Sequence, residues 1–129
     1  MVLSHETDSN RHPYWYARVL MIFHVNIHYY GDCSPSDEPQ RKDVLFVRWF
    51  GRDPTYSSIF RSRRLPSIGF LPEDDLDAFG FLDPDLVIRG VHLIPSFLEG
   101  RTSNLLVGHS IARRESKTDD DWASFKVNM

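Results

Sequence analysis

Tyr14-Trp15-Tyr16-Ala17-Arg18-Val19-Leu20-Met21-Ile22-Phe23-His24-Val25-Asn26-Ile27-His28-Tyr29 carries an apolar side chain at every odd position. Side chains alternate between the two faces of a strand, so this register predicts a pleated ribbon. Trp15, Ala17, Val19, Met21, Phe23, Val25, Ile27 and Tyr29 are expected to line the core. The even set, from Tyr14 and Tyr16 to His24 and His28, is expected to face outward. Fifteen extended residues reach roughly 50 Å, farther than a small domain is wide. The ribbon must therefore bend, bulge or cross from one sheet to another, as strands of small barrels do. The expected fold class is mainly β: a small, partly open antiparallel β-barrel with one or two short helices.

Working outward, Gly31 to Gln40 is a loop by composition, with Asp32, Ser34, Pro35, Ser36, Asp37 and Pro39. Val44 to Phe50 returns to strand composition, so the two ribbons read as a hairpin with a long connection. Arg61 to Phe70 reads as a third strand, at an edge or bulged because of Pro66 and Gly69. Pro72 to Ala78 is an acidic loop or short turn. Asp83-Pro84-Asp85 has the form of a helix start, with Asp as cap and Pro at the first helical position. Val87 to Ile94 is strand-like again and Pro95 ends it. Leu105 to Gly108 and Ala123 to Val127 are further strand candidates. Three regions result: a flexible arm over 1–12, a barrel-like domain over 13–112, and a charged segment over 113–129 ending in a truncated strand.

The 129 residues suit one domain with a modest core. Hydrophobic residues make up 41% and aromatics 13%, enough to exclude a wholly disordered chain. The net charge of −3 argues against a uniformly basic nucleic-acid binder, but the charges are segregated. Arg41 to Arg64 holds seven basic residues, and Glu73 to Asp85 holds six acidic ones with no basic residue among them. Cys33 is the only cysteine, which excludes an intrachain disulfide and a cysteine-rich metal site and suits an intracellular chain. No apolar run is long enough to span a bilayer as a helix, so no membrane association is expected.

His24 and His28 would share a zinc ion on a helix, but on a strand they stand roughly 13 Å apart. The acidic residues between Glu73 and Asp85 do not follow the spacing of a calcium loop. No nucleophile elbow and no phosphate-binding glycine loop occurs. The expectation is no enzyme, no catalytic residue, no metal and no cofactor. Arg48, Arg52, Arg61, Arg63 and Arg64 form the candidate nucleic-acid-binding set, a salt-sensitive group for phosphates, with Tyr56 and Phe60 nearby to stack on bases. Pairing of Arg61 to Arg64 with the acidic loop is the competing reading. Tyr14, Tyr16 and Tyr29 form a candidate aromatic binding surface, which with Trp15 and Trp49 could cage a cation. Trp15 and Trp49 share the parity of core positions, so burial competes with that role.

Four blocks in order carry a family resemblance: His12-Pro13-Tyr14-Trp15-Tyr16-Ala17-Arg18-Val19 with Ile22-Phe23-His24; Val47-Arg48-Trp49-Phe50-Gly51-Arg52-Asp53; Phe79-Gly80-Phe81-Leu82-Asp83-Pro84; and Val87 to Phe97 followed by Gly100-Arg101-Thr102. From about His12 onward the chain resembles the C-terminal region of fungal transposon proteins of the Plavaka type, in the Kyakuja–Dileera–Zisupton group. The resemblance implies a module that accompanies a DDE-type nuclease core lying upstream, and hence a nuclear setting with DNA or chromatin as partner. The family region continues past Val127-Asn128-Met129, which implies a truncated product or a non-functional transposon remnant. The strand–loop–strand opening also resembles bromo-adjacent-homology (BAH) chromatin barrels. The expected function is a non-catalytic, transposase-derived nucleic-acid or chromatin module. A protein-interaction or dimerisation module pairing through a strand edge is the alternative.

Overall fold

A computed structural model describes residues 1–5, 12–30, 38–52, 65–102 and 121–129. Two long strands dominate it, β2 (Tyr14–Ile27) and β3 (Gln40–Arg52), preceded by the short β1 (Val2–Leu3). They are followed by β4 (Ser67–Phe70), β5 (Phe79–Leu82), β6 (His92–Pro95), β7 (Arg101–Thr102), β8 (Asp121–Trp122) and β9 (Ser124–Asn128). The only helical pieces among the described residues are single 3-10 turns at Pro84–Leu86 and Phe97–Glu99. The chain is mainly β, a curled antiparallel half-barrel, as its alternation predicts.

Along the sheet the order is β1-β2-β3-β4-β9-β6, and β5 also pairs with β3. β4 and β5 share one edge of β3: Phe50 to Arg52 face β4, whereas Leu45 to Arg48 face β5. β7 and β8 form a separate two-stranded ribbon. The curl is drawn closed beside β1, where the Met1 ammonium donates to the Arg89 carbonyl (3.2 Å) and the Ile88 amide donates to the Met1 carbonyl (3.0 Å).

The expectation that all odd residues of the first ribbon face the core is corrected by a bulge. The β2–β3 register shifts between Val19 and Met21, leaving Leu20 as the extra residue. Before it, Tyr16 stands opposite Phe50 and Arg18 opposite Arg48; after it, Met21 stands opposite Phe46 and Phe23 opposite Val44. Directly opposed residues share a face, so the inner face takes even residues of β2 first and odd ones afterwards. Tyr16, Phe50, Ile68, Phe125 and Val127 form the buried core there, with Tyr14, Phe70 and Leu93 packed on it. Trp15, Ala17 and Val19 instead lie on the outer face with Val47 and Trp49. Val2, opposite Trp15, and Leu82, opposite Leu45, extend this second apolar layer. Apolar residues occur at both parities of β2 and β3 because both faces are covered at this end.

Other boundaries follow local chemistry. Asp83 caps the first 3-10 turn, its carboxylate accepting from the Asp85 amide at 2.9 Å, with Pro84 at the first position. The acidic loop is a pair of turns, in which the Asp75 amide donates to the Pro72 carbonyl and the Ala78 amide to that of Asp75. The third strand begins at Ser67 and is no edge, since it pairs with β3 on one side and β9 on the other. The sheet draws on residues outside 13–112 at both ends: Val2 is buried in β1, and β9 lies between β4 and β6. Leu105 to Gly108 lies outside the described residues.

Candidate interaction surface

The arginine set is divided by the fold. Arg48 has the parity of Phe46 and Phe50, so it points inward and is 0% exposed. Its guanidinium lies 4.4 Å from the centre of the Phe79 ring and 5.6 Å from that of Phe70, and Nη2 donates to the Leu71 carbonyl at 2.7 Å. Burial lowers its pKa from the usual arginine value, with Glu73 acting in the opposite direction. A guanidinium held on aromatic faces inside a barrel cannot reach a phosphate outside it, which corrects the expectation for Arg48. The signal was present in the sequence: Val44 to Phe50 is apolar at both parities apart from Arg48, so a charge there falls on a covered face. Arg52, at the end of β3, is exposed. Arg61, Arg63 and Arg64 lie outside the described residues, as do Tyr56 and Phe60.

Arg18, an even residue of the ribbon and so expected outside, turns inward, and the inner face is organised around it. Its guanidinium stands 5.1 Å from the Phe70 ring centre, 5.4 Å from that of Phe125 and 5.9 Å from that of Phe50. Nη1 donates to the Asp121 carboxylate, which ties β2 to β8. The chain thus builds an aromatic cage from three phenylalanines and fills it with its own cation.

The tyrosine set is also divided. Tyr14 and Tyr16 sit at the start of β2 and Tyr29 just beyond its end, roughly 45 Å away along an extended strand. Tyr16 is 4% exposed and donates through its hydroxyl to Met129 Sδ at 3.5 Å, so it forms core and not surface. Burial, with Tyr14 adding to it, pushes its pKa up to about 12. Tyr29 is exposed. A cleft of about 750 Å³ opens where β2 begins and β3 ends, bounded by Tyr14, Trp15, Tyr16, Trp49, Arg52 and Asp77. Four of the five cage residues considered above therefore meet at one cleft. Trp15 and Trp49 lie edge to face there, 6.0 Å between centres.

At the opposite end β2 and β3 run on as a ribbon. Beyond Trp15 no strand among the described residues pairs with the outer edge of β2. From Val19 to Ile27 the edge has no Asp, Glu, Lys or Arg. Met21 is 52% exposed, Ile22 62% and Val25 36%. On the inner face of this ribbon Phe23 and Phe46 contact Phe81, which is itself exposed. The core face thus continues past its cover into an open apolar strip. His24 and His28 are both exposed, and His28 stacks on Tyr30. Among the described residues no group of three or more His, Cys, Asp or Glu side chains is placed to hold a metal ion, and no helix is long and apolar enough to cross a membrane.

No family model, curated protein or solved structure matches the chain.

Proposed function

We propose that this chain is a non-catalytic protein-interaction module that receives an extended segment along the outer edge of β2. One observation carries the reading: Met21–Ile27 is a mainly apolar strand edge without Asp, Glu, Lys or Arg, and no strand pairs with its outer side among the described residues. Such an edge is a template for strand addition, in which main-chain hydrogen bonds supply affinity and alternate side chains supply selectivity. The open strip of Phe23, Phe46 and Phe81 beside it would receive the partner's apolar side chains. The likeness to the C-terminal region of Plavaka-type transposon proteins supports an accessory role beside a nuclease core carried elsewhere. The test is selection of extended peptides on the immobilised chain, repeated with Ile22→Lys and Val25→Lys. Peptide binding that both substitutions abolish supports the reading. Binding indifferent to them, or no binding by a chain that is monomeric, defeats it.

Nucleic-acid or chromatin association is the second reading, favoured by the exposure of Arg52, which precedes in the sequence the stretch that carries Arg61, Arg63 and Arg64. It predicts DNA affinity that falls steeply with salt and that is lost when these four arginines become alanine. Arg48 has no part in it.

A further inference from the structure

We infer that the occupant of the β2 edge is a second copy of the same chain, paired antiparallel about a two-fold axis at His24. This deepens the strand-receiving reading above and rests on it. The bulge at Leu20 and the strand end at Ile27 bound a regular edge of seven residues, Met21–Ile27. Complete overlap of that stretch with its own copy places the axis at His24. Met21 then faces Ile27, Ile22 faces Asn26, and Phe23 faces Val25, each across the interface. A two-fold axis normal to a sheet keeps faces matched, so the odd row meets only the odd row. Met21, Phe23, Val25 and Ile27 are all apolar, and the row is therefore complementary to itself. On the opposite face Ile22, His24 and Asn26 bring no carboxylate or ammonium group to the junction. The charged pair nearest to it, Arg41 and Asp43, lies one strand back on β3 and is already ion-paired at 3.5 Å.

The joined ribbons would form one four-stranded surface, β3-β2 of one copy continuing into β2-β3 of the other. The two apolar strips of Phe23, Phe46 and Phe81 then lie on the same side. An edge about 24 Å long and about 10 Å thick covers roughly 500 Å² in total on the two copies, short of the ~1,200 Å² typical of a tight interface. The dimer is accordingly a weak, concentration-dependent one.

The test is sedimentation of the whole chain from micromolar to millimolar concentration, with Val25→Lys as the disrupting variant. A lysine pointing into a strand junction is an established block to edge pairing. Expected are a monomer–dimer equilibrium for the parent and a monomer for the variant, with the variant's circular dichroism unchanged. Ile22→Lys replaces Val25→Lys should the latter unfold. The register is read by His24→Cys in a Cys33→Ser background under mild oxidation. Directly opposed strand residues have Cα atoms about 5 Å apart, within disulfide reach, so covalent dimer forms. Asp43→Cys in the same background does not cross-link, because its copy lies about 14 Å away. A parent that is monomeric throughout, a dimer indifferent to both lysine variants, or failure of the position-24 cross-link overturns the proposal. A monomer that still captures peptides at the edge overturns the self-pairing alone; a monomer that captures none removes the strand-receiving reading as well.

Discussion

Arg18 and Arg48 stand directly opposite each other across the β2–β3 ladder, both turned into the phenylalanine-lined interior. Both guanidiniums lie over the Phe70 ring, at 5.1 and 5.6 Å from its centre. Like charges facing each other across a strand pair are unfavourable. Aromatic faces and the Leu71 carbonyl offset this, and the carboxylate of Asp121 answers Arg18 from the other end of the chain.

Asp121 therefore matters more than its place near the C-terminus suggests. Asp121→Asn is expected to cost about 3 kcal/mol, because it takes the carboxylate from the largely buried Arg18 guanidinium and leaves it facing a second cation. Arg48→Met in the Asp121→Asn background should restore part of that loss by removing the opposing cation. Urea unfolding of the two single variants and the double variant measures the coupling.

Tyr16 makes the fold sensitive to alkali. Its folded pKa of about 12 lies above the ordinary value of 10.0, so the unfolded chain releases the phenolic proton first. A raised folded pKa contributes stability fully below pH 10, and that contribution is lost as the pH climbs through about 12. The loss should approach 2–3 kcal/mol, about 1.4 kcal/mol per pH unit. Tyr16→Phe should flatten the pH profile across this window, and tyrosinate absorbance of the folded parent should show one tyrosine ionising late.

Two glycines on neighbouring strands should respond differently to alanine. A Cβ at Gly69 would meet the Ala123 carbonyl oxygen at 2.9 Å, a backbone atom that cannot move without displacing β9. Gly69→Ala is expected to cost about 1–3 kcal/mol. At Gly51 the obstacle is Leu71 Cδ2, at 2.8 Å, the end of a flexible side chain. Gly51→Ala should cost under about 1 kcal/mol. Thermal unfolding of both variants separates them.

Removal of residues 121–129 should abolish cooperative folding. It takes away β9, which pairs with β4 and β6, together with the core residues Phe125 and Val127 and the Asp121 carboxylate. Loss of near-ultraviolet circular dichroism and of a cooperative melting transition are the signs to measure. A folded truncated chain would show that β1 to β5 suffice.

The alternation of Tyr14 to Tyr29 and the apolar run of Val44 to Phe50 were enough to establish a β-hairpin, because strand formation depends on near neighbours. Asp83-Pro84 marked a capped turn for the same reason. The face that each side chain occupies was not legible, because it depends on a bulge at Leu20 and on strands far along the chain that cover one side or the other. Alternation looks the same whichever parity ends up inside. Arg48 illustrates the consequence: the apolar run around it signals that both faces of β3 are covered, but the Phe70 and Phe79 rings that receive its guanidinium come from β4 and β5 and leave no mark beside it. The partnership of Arg18 with Asp121 spans 103 positions and has no local signature. Local chemistry chose the strands; long-range packing chose which of their residues became core, and which stretch of β2 was left as an open edge.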